Sequence, residues 1–137
     1  MGYPTNPASS ATAINYISPD SQFVIYNLNT ESEDIVWYTG EVDSDGYGKT
    51  TSTVPSGCST SEIKAKKDQL NNDRAKALLR VERDKRLAET DWWDLSDTTS
   101  MTDAQKKYRQ DLRDLPSTQN PTVTGSVISN VTWPTKP

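Results

Sequence analysis

From Glu62 to Ala88 the chain runs without a single Gly or Pro, and this stretch constrains the fold more than any other. It is rich in Lys, Arg, Ala, Leu and Glu, residues that lose little side-chain freedom in a helix. Ser59 stands three positions before Glu62, the spacing at which two otherwise orphaned amides are satisfied by a capping box. A long helix is therefore expected. Its apolar positions, Ile63, Leu70, Ala77, Leu78, Val81 and Ala88, fall roughly on one stripe, widened by Leu79 and Leu87 and interrupted early by Lys66, Lys67 and Arg74. A self-associating coiled coil needs apolar residues at both seam positions of each heptad. The stripe supplies them only in patches, so the helix is expected to pack on the rest of the chain or on a partner.

A second helix follows a short polar elbow. Thr102, with Gln105 three positions later, caps a segment expected over Asp103–Leu115, and Pro116 is expected to stop it. Ala104, Tyr108, Leu112 and Leu115 form a single face. Leu79, Leu87 and the elbow residues Trp92, Trp93 and Leu95 are the natural counterparts, which gives a helical hairpin. Trp92 and Trp93 stand between Asp91 and Asp94. Indoles of that size dominate burial wherever they find a surface, whether inside the fold or on a partner. One ring is expected under the second helix and the other near an interface.

The upstream half reads differently. Residues 1–21 combine Pro4, Pro7 and Pro19 with small polar residues and read as an extended arm whose apolar pegs are Tyr3, Ile14, Tyr16 and Ile17. Gln22–Leu28 and Asp34–Gly40 are β-branched and aromatic runs parted by a polar segment, a hairpin signal. Alternation sets Phe23, Ile25 and Asn27 on one face and Val24, Tyr26 and Leu28 on the other, so both faces need cover. The loop that continues to residue 58 leaves room for a short third strand near Thr50–Val54. Beyond Pro116 the chain is expected to be an extended tail, with Val123, Val127, Ile128, Val131 and Trp133 available for strand addition or wrapping. The expected class is α+β: an arm (1–21), a β-hairpin with loop (22–58), and a helical hairpin with an extended tail (59–137).

Several chemistries find no support in the residues. Histidine is absent, which removes the commonest general base and metal ligand, and a lone Cys58 excludes an internal disulfide. Asp91, Asp94 and Asp97 lack the glycine and terminal glutamate of a calcium loop and fit helix-start capping better; Asp43-Ser44-Asp45-Gly46 reads as a plain turn. No catalytic residue, metal or cofactor is expected. The basic residues of the long helix alternate with Glu62, Asp68, Asp73, Glu82, Asp84 and Glu89, and the net charge is −4, so neither nucleic acid nor membrane is an expected partner. No run is long and apolar enough to span a bilayer, and no basic-then-apolar opening suggests export. A soluble protein made in the cytoplasm is expected. Only 32% of the residues are hydrophobic, so the core must be small and contacts with other proteins should matter.

RLAETDWWDLSD, then MTDAQKKYRQDLRDLPS, then a terminal NVTWPTKP resembles the phage tail assembly chaperone-like family, also described as tail fibre assembly. The matching positions are Leu87, Thr90, Asp91, Trp92, Thr102, Gln105, Tyr108, Arg109, Leu112 to Pro116, Trp133 and Pro134, within about residues 80–137. The second tryptophan and a long segment before Val131 depart from that pattern. The resemblance implies a non-enzymatic phage tail protein that binds fibre or baseplate components, or further copies of itself. Such a protein is either retained in the virion as an adaptor or acts transiently as a chaperone. Trp92, Trp93, Tyr108, Leu112, Leu115 and Trp133 are the expected partner-binding residues.

Overall fold

The computed structural model describes residues 8–26 and 33–137; the expectations for Tyr3, Asn27 and Leu28 lie outside them. These residues fall into two compact units that meet in sequence after Leu70.

The first unit, Ala8–Leu70, opens on a helix where an extended arm was expected. Helix α1 spans Ser10–Ile17, and the Ser9 side chain caps it by accepting from the Thr12 amide at 3.1 Å. Ala13 and Ile14 are fully buried. The prolines at 4, 7 and 19 flank this segment without entering it. Composition had concealed the one apolar face that the small residues build.

Strands β1 (Gln22–Tyr26) and β2 (Asp34–Val42) form the expected hairpin, antiparallel and in a register that pairs Phe23 with Trp37 and Ile25 with Ile35. A third strand, β3 (Gly48–Thr51), pairs with the far side of β2 and starts slightly earlier than expected. The β2–β3 turn is organised by Asp43, whose carboxylate accepts from the amides of Asp45 (3.0 Å) and Tyr47 (2.8 Å). One sheet face carries Phe23, Ile25, Ile35 and Trp37 against Ile14, Ile17, Cys58 and Ile63, with the Phe23 and Trp37 rings 5.7 Å apart. On the opposite face Val24 and Tyr26 are exposed. Gly57 closes the loop beneath this core at φ +81°, and a Cβ there would stand 2.8 Å from Ile17 Cγ2.

Helix α2 (Thr60–Ala88) begins in this unit and continues into the second. The expected capping box is present: the Ser59 amide donates to the Glu62 carboxylate at 3.0 Å, and Ser59 Oγ accepts from the Glu62 amide at 3.4 Å. The Ser59 hydroxyl, which donates to the Glu62 carboxylate at 2.5 Å, and then the Ser59 amide favour the charged form and hold the Glu62 carboxyl below the usual range. A depressed folded-state pKa stabilises the fold at neutral pH and ceases to do so as pH falls through it. Amide exchange in the first turn of α2 is therefore expected to speed up selectively on acidification below the ordinary glutamate range, and Glu62→Gln should flatten that dependence. Burial, reinforced by the Glu62 charge, pushes the Cys58 thiol up, which makes it inert near neutrality.

The second unit, Asn71–Pro137, contains the rest of α2, a one-turn 3-10 elbow at Asp91–Asp94, helix α3 (Asp103–Thr118) and a small hairpin. That hairpin, β4 (Thr122–Thr124) with β5 (Val127–Ser129), occupies part of the expected tail. Its two-residue turn depends on Gly125 at φ +60°, and the Arg74 guanidinium, buried on α2, donates to the Gly125 carbonyl. On α2, Ala77 and Leu79 of the expected stripe are buried together with Ala75, whereas Val81 and Ala88 of that stripe are exposed. Helix α3 has its Thr102–Gln105 capping box but runs through Pro116 to Thr118. Pro116 falls within the last turn and cannot supply an amide to the Leu112 carbonyl, while the Ser117 and Thr118 hydroxyls donate to the Asp114 carbonyl at the helix end.

Candidate functional site

The elbow between α2 and α3 separates its two indoles. Thr90, fully buried, ends α2 by turning both its amide and its hydroxyl back to the Leu87 carbonyl, each at 2.9 Å. The Trp93 amide then donates to the Thr90 carbonyl at 3.1 Å, which starts the short turn. Adjacent residues on so tight a turn point in different directions. The Trp93 ring is buried and meets the Tyr108 ring at 6.2 Å between centroids. The Trp92 ring stands edge-on to Trp93 and remains 57% exposed, next to Leu95 at 55%.

Of the six residues expected to contact partners, four lie together in one internal cluster: Trp93, Tyr108, Leu112 and Leu115. Leu87, Met101, Val131 and Trp133 pack around them. Trp133 is half-buried at the edge of this cluster, and Trp92 alone presents most of its surface to solvent. Ala104, expected on the inner face of α3, is exposed.

Sequence reasoning did not single out Arg109 as buried. It falls outside the expected Ala104–Tyr108–Leu112–Leu115 face of α3, yet its guanidinium lies inside the elbow. Nη1 donates to Thr90 Oγ1 at 2.7 Å and to the Leu87 carbonyl at 3.3 Å, while Nη2 donates to the Asp91 carboxylate at 3.0 Å. Thus one side chain on α3 binds the last turn of α2 and the first residue of the elbow. A carbonyl that the helix end leaves without an intrahelical partner was the available signal.

The elbow's outer rim is acidic. Asp91, Asp94 and Asp97 are exposed on the same stretch as Trp92 and Leu95; Asp91 pairs with Arg109, and Asp94 lines a cleft with Lys106, Lys107 and Arg113. Elsewhere in this unit charges pair locally: Glu82 with Arg86 at 2.5 Å, Lys107 with Asp111 at 2.7 Å. Among the described residues no group of three His, Cys, Asp or Glu side chains is placed to hold a metal ion, and no helix is long and apolar enough to cross a membrane. What the arrangement offers chemically is an indole and a leucine exposed on a braced turn that also carries three exposed carboxylates.

Residues 76–137, less than half of the chain, match the family model described as phage tail assembly chaperone protein. The match begins within α2 and takes in the elbow, α3, the β4–β5 hairpin and the final segment. No curated protein and no solved structure matches the chain.

Proposed function

We infer, from the likeness of residues 76–137 to phage tail assembly chaperones, that this chain is a non-enzymatic phage tail protein that binds tail fibre or baseplate components and aids their assembly. The observation that carries the reading is the division of the tryptophan pair. Trp93 fixes the fold, while Trp92, 57% exposed on a turn braced by Arg109, is held out with Leu95. Exposed tryptophans that are rigid before binding make strong contacts, because little ordering entropy remains to be lost. The carboxylate rim selects a partner with an apolar pocket bordered by Lys or Arg.

Retention in the virion as an adaptor subunit is supported by the upstream unit. It has its own core and leaves Val24 and Tyr26 exposed on the outer sheet face, apolar area of the sort a bridging subunit needs. The transient reading, a chaperone that leaves before the particle matures, is favoured by the description of the matched family. Co-expression with candidate fibre and baseplate proteins tests binding, and a stable complex on size exclusion is expected. Quantitative mass spectrometry of purified particles then separates the two readings: stoichiometric recovery supports the adaptor, and absence supports the chaperone.

A further inference from the structure

The final residues of the chain occupy a groove. Residues 130–137 belong to no helix or strand, yet they are fastened by side chains along α2, the elbow and α3. The Arg86 guanidinium lies 3.8 Å from the centre of the Trp133 ring. Val131 and Trp133 pack on the Trp93–Leu115 cluster. The Gln119 side-chain carbonyl accepts from the Thr132 amide at 3.2 Å, and Lys136 reaches Glu89 at 3.6 Å while lying 5.8 Å from the Trp93 ring. Asn130 bends the chain into this seat at φ 59°.

We propose that this seat is a peptide-binding site, occupied in cis by residues 131–136, that accepts an extended segment of a tail partner with the same order of groups: aliphatic, aromatic followed by proline, then a cation. The proposal deepens the reading above and rests on it for the source of the segment. Three features define the ligand. Arg86 offers a flat cation to an aromatic face. Glu89 offers a carboxylate to a basic side chain. Gln119 recognises backbone, so it is indifferent to the residue beside the aromatic. An open cleft of about 320 Å³ lies between the strap and α3, lined by Leu115, Thr118 and Gln119 on one side and Trp133 and Pro134 on the other.

Because each of these contacts is made by a side chain, an incoming segment can make the same set. Its only handicap is the high effective concentration of the tethered strap, on the order of millimolar for a short linker. Loosening the strap should therefore raise affinity for a peptide added in trans.

The experiment uses the full-length chain and a fluorescein-labelled peptide with the sequence of residues 129–137, followed by anisotropy. Weak binding to the native chain is expected, with affinity rising by about tenfold or more in Trp133→Ala. Lys136→Glu removes a partly exposed contact without touching the core, and it decides the matter if Trp133→Ala fails to fold; affinity should rise several-fold there. A peptide with alanine in place of tryptophan should not bind. Absence of binding to the folded variants, equal binding to native chain and variants, or binding that ignores the peptide's tryptophan overturns the proposal. Trp92→Ala should leave peptide binding unchanged, so a failed peptide experiment and a failed Trp92 experiment are separate results.

Discussion

Trp93→Ala is expected to destabilise the unit formed by residues 71–137 by about 3–5 kcal/mol, the usual cost of removing a large buried aromatic. The ring is 6% exposed, contacts Tyr108 and shares a cluster with the fully buried Leu112. The surrounding residues cannot collapse into the space, because Leu112 and Leu115 are fixed on α3 and the elbow backbone is pinned through Thr90. Against a net stability of about 5–15 kcal/mol for an ordinary domain this is a large fraction. A fall in melting temperature of roughly 12 °C or more should follow for a unit of this size. The neighbouring substitution gives the contrast. Trp92→Ala removes an indole that is 57% exposed and should change stability by less than about 1 kcal/mol. Thermal denaturation of the two variants side by side reads the difference directly.

The second large effect falls on Arg109→Met. Methionine keeps much of the apolar stem, but all three hydrogen bonds of the guanidinium disappear. The loss is not uniform. Asp91 is 66% exposed at its side chain and regains water when its partner is removed, so that ion pair contributes little net stability. Thr90 is fully buried, and there the loss of a charged donor is felt; the Leu87 carbonyl is only partly covered and keeps both its bonds from Thr90. A cost of about 2–3 kcal/mol is expected by chemical denaturation. Asp91→Asn should cost below about 1 kcal/mol, since it leaves the buried contacts in place. Arg109→Lys should recover only part of the loss, because a single ammonium cannot span Thr90 and Asp91 as the planar fork does.

How far the sequence revealed this molecule depends on which signals were local. The capping boxes at Ser59–Glu62 and Thr102–Gln105 and the β1–β2 hairpin arise from neighbouring residues, and they were legible for that reason. Helix α1 was missed because its helical face amounts to Ala13 and Ile14 within a proline-flanked, small-residue stretch; tertiary burial against Trp37 and Ile63 makes it worthwhile. Helix α3 runs through Pro116, where a stop was expected, and the Ser117 and Thr118 hydroxyls and the Gln119 amide satisfy carbonyls of its last turn. At the elbow, the presence of two tryptophans marked the place, and the family resemblance pointed to the same residues. Which indole faces inward depends on how Thr90 and Arg109 close the turn, a three-body arrangement across nineteen positions that spacing alone cannot resolve. The seat of Val131, Trp133 and Lys136 was hidden for the same reason: its chain is extended and carries no periodicity to read.

One reciprocal measurement bears most directly on the account: tail-partner capture by the Trp92→Ala variant, with its melting temperature determined on the same preparation. The expected result is an unchanged melting temperature together with a loss of capture of about tenfold or more, the scale of a binding hot spot. Full capture by a normally folded Trp92→Ala chain would contradict it.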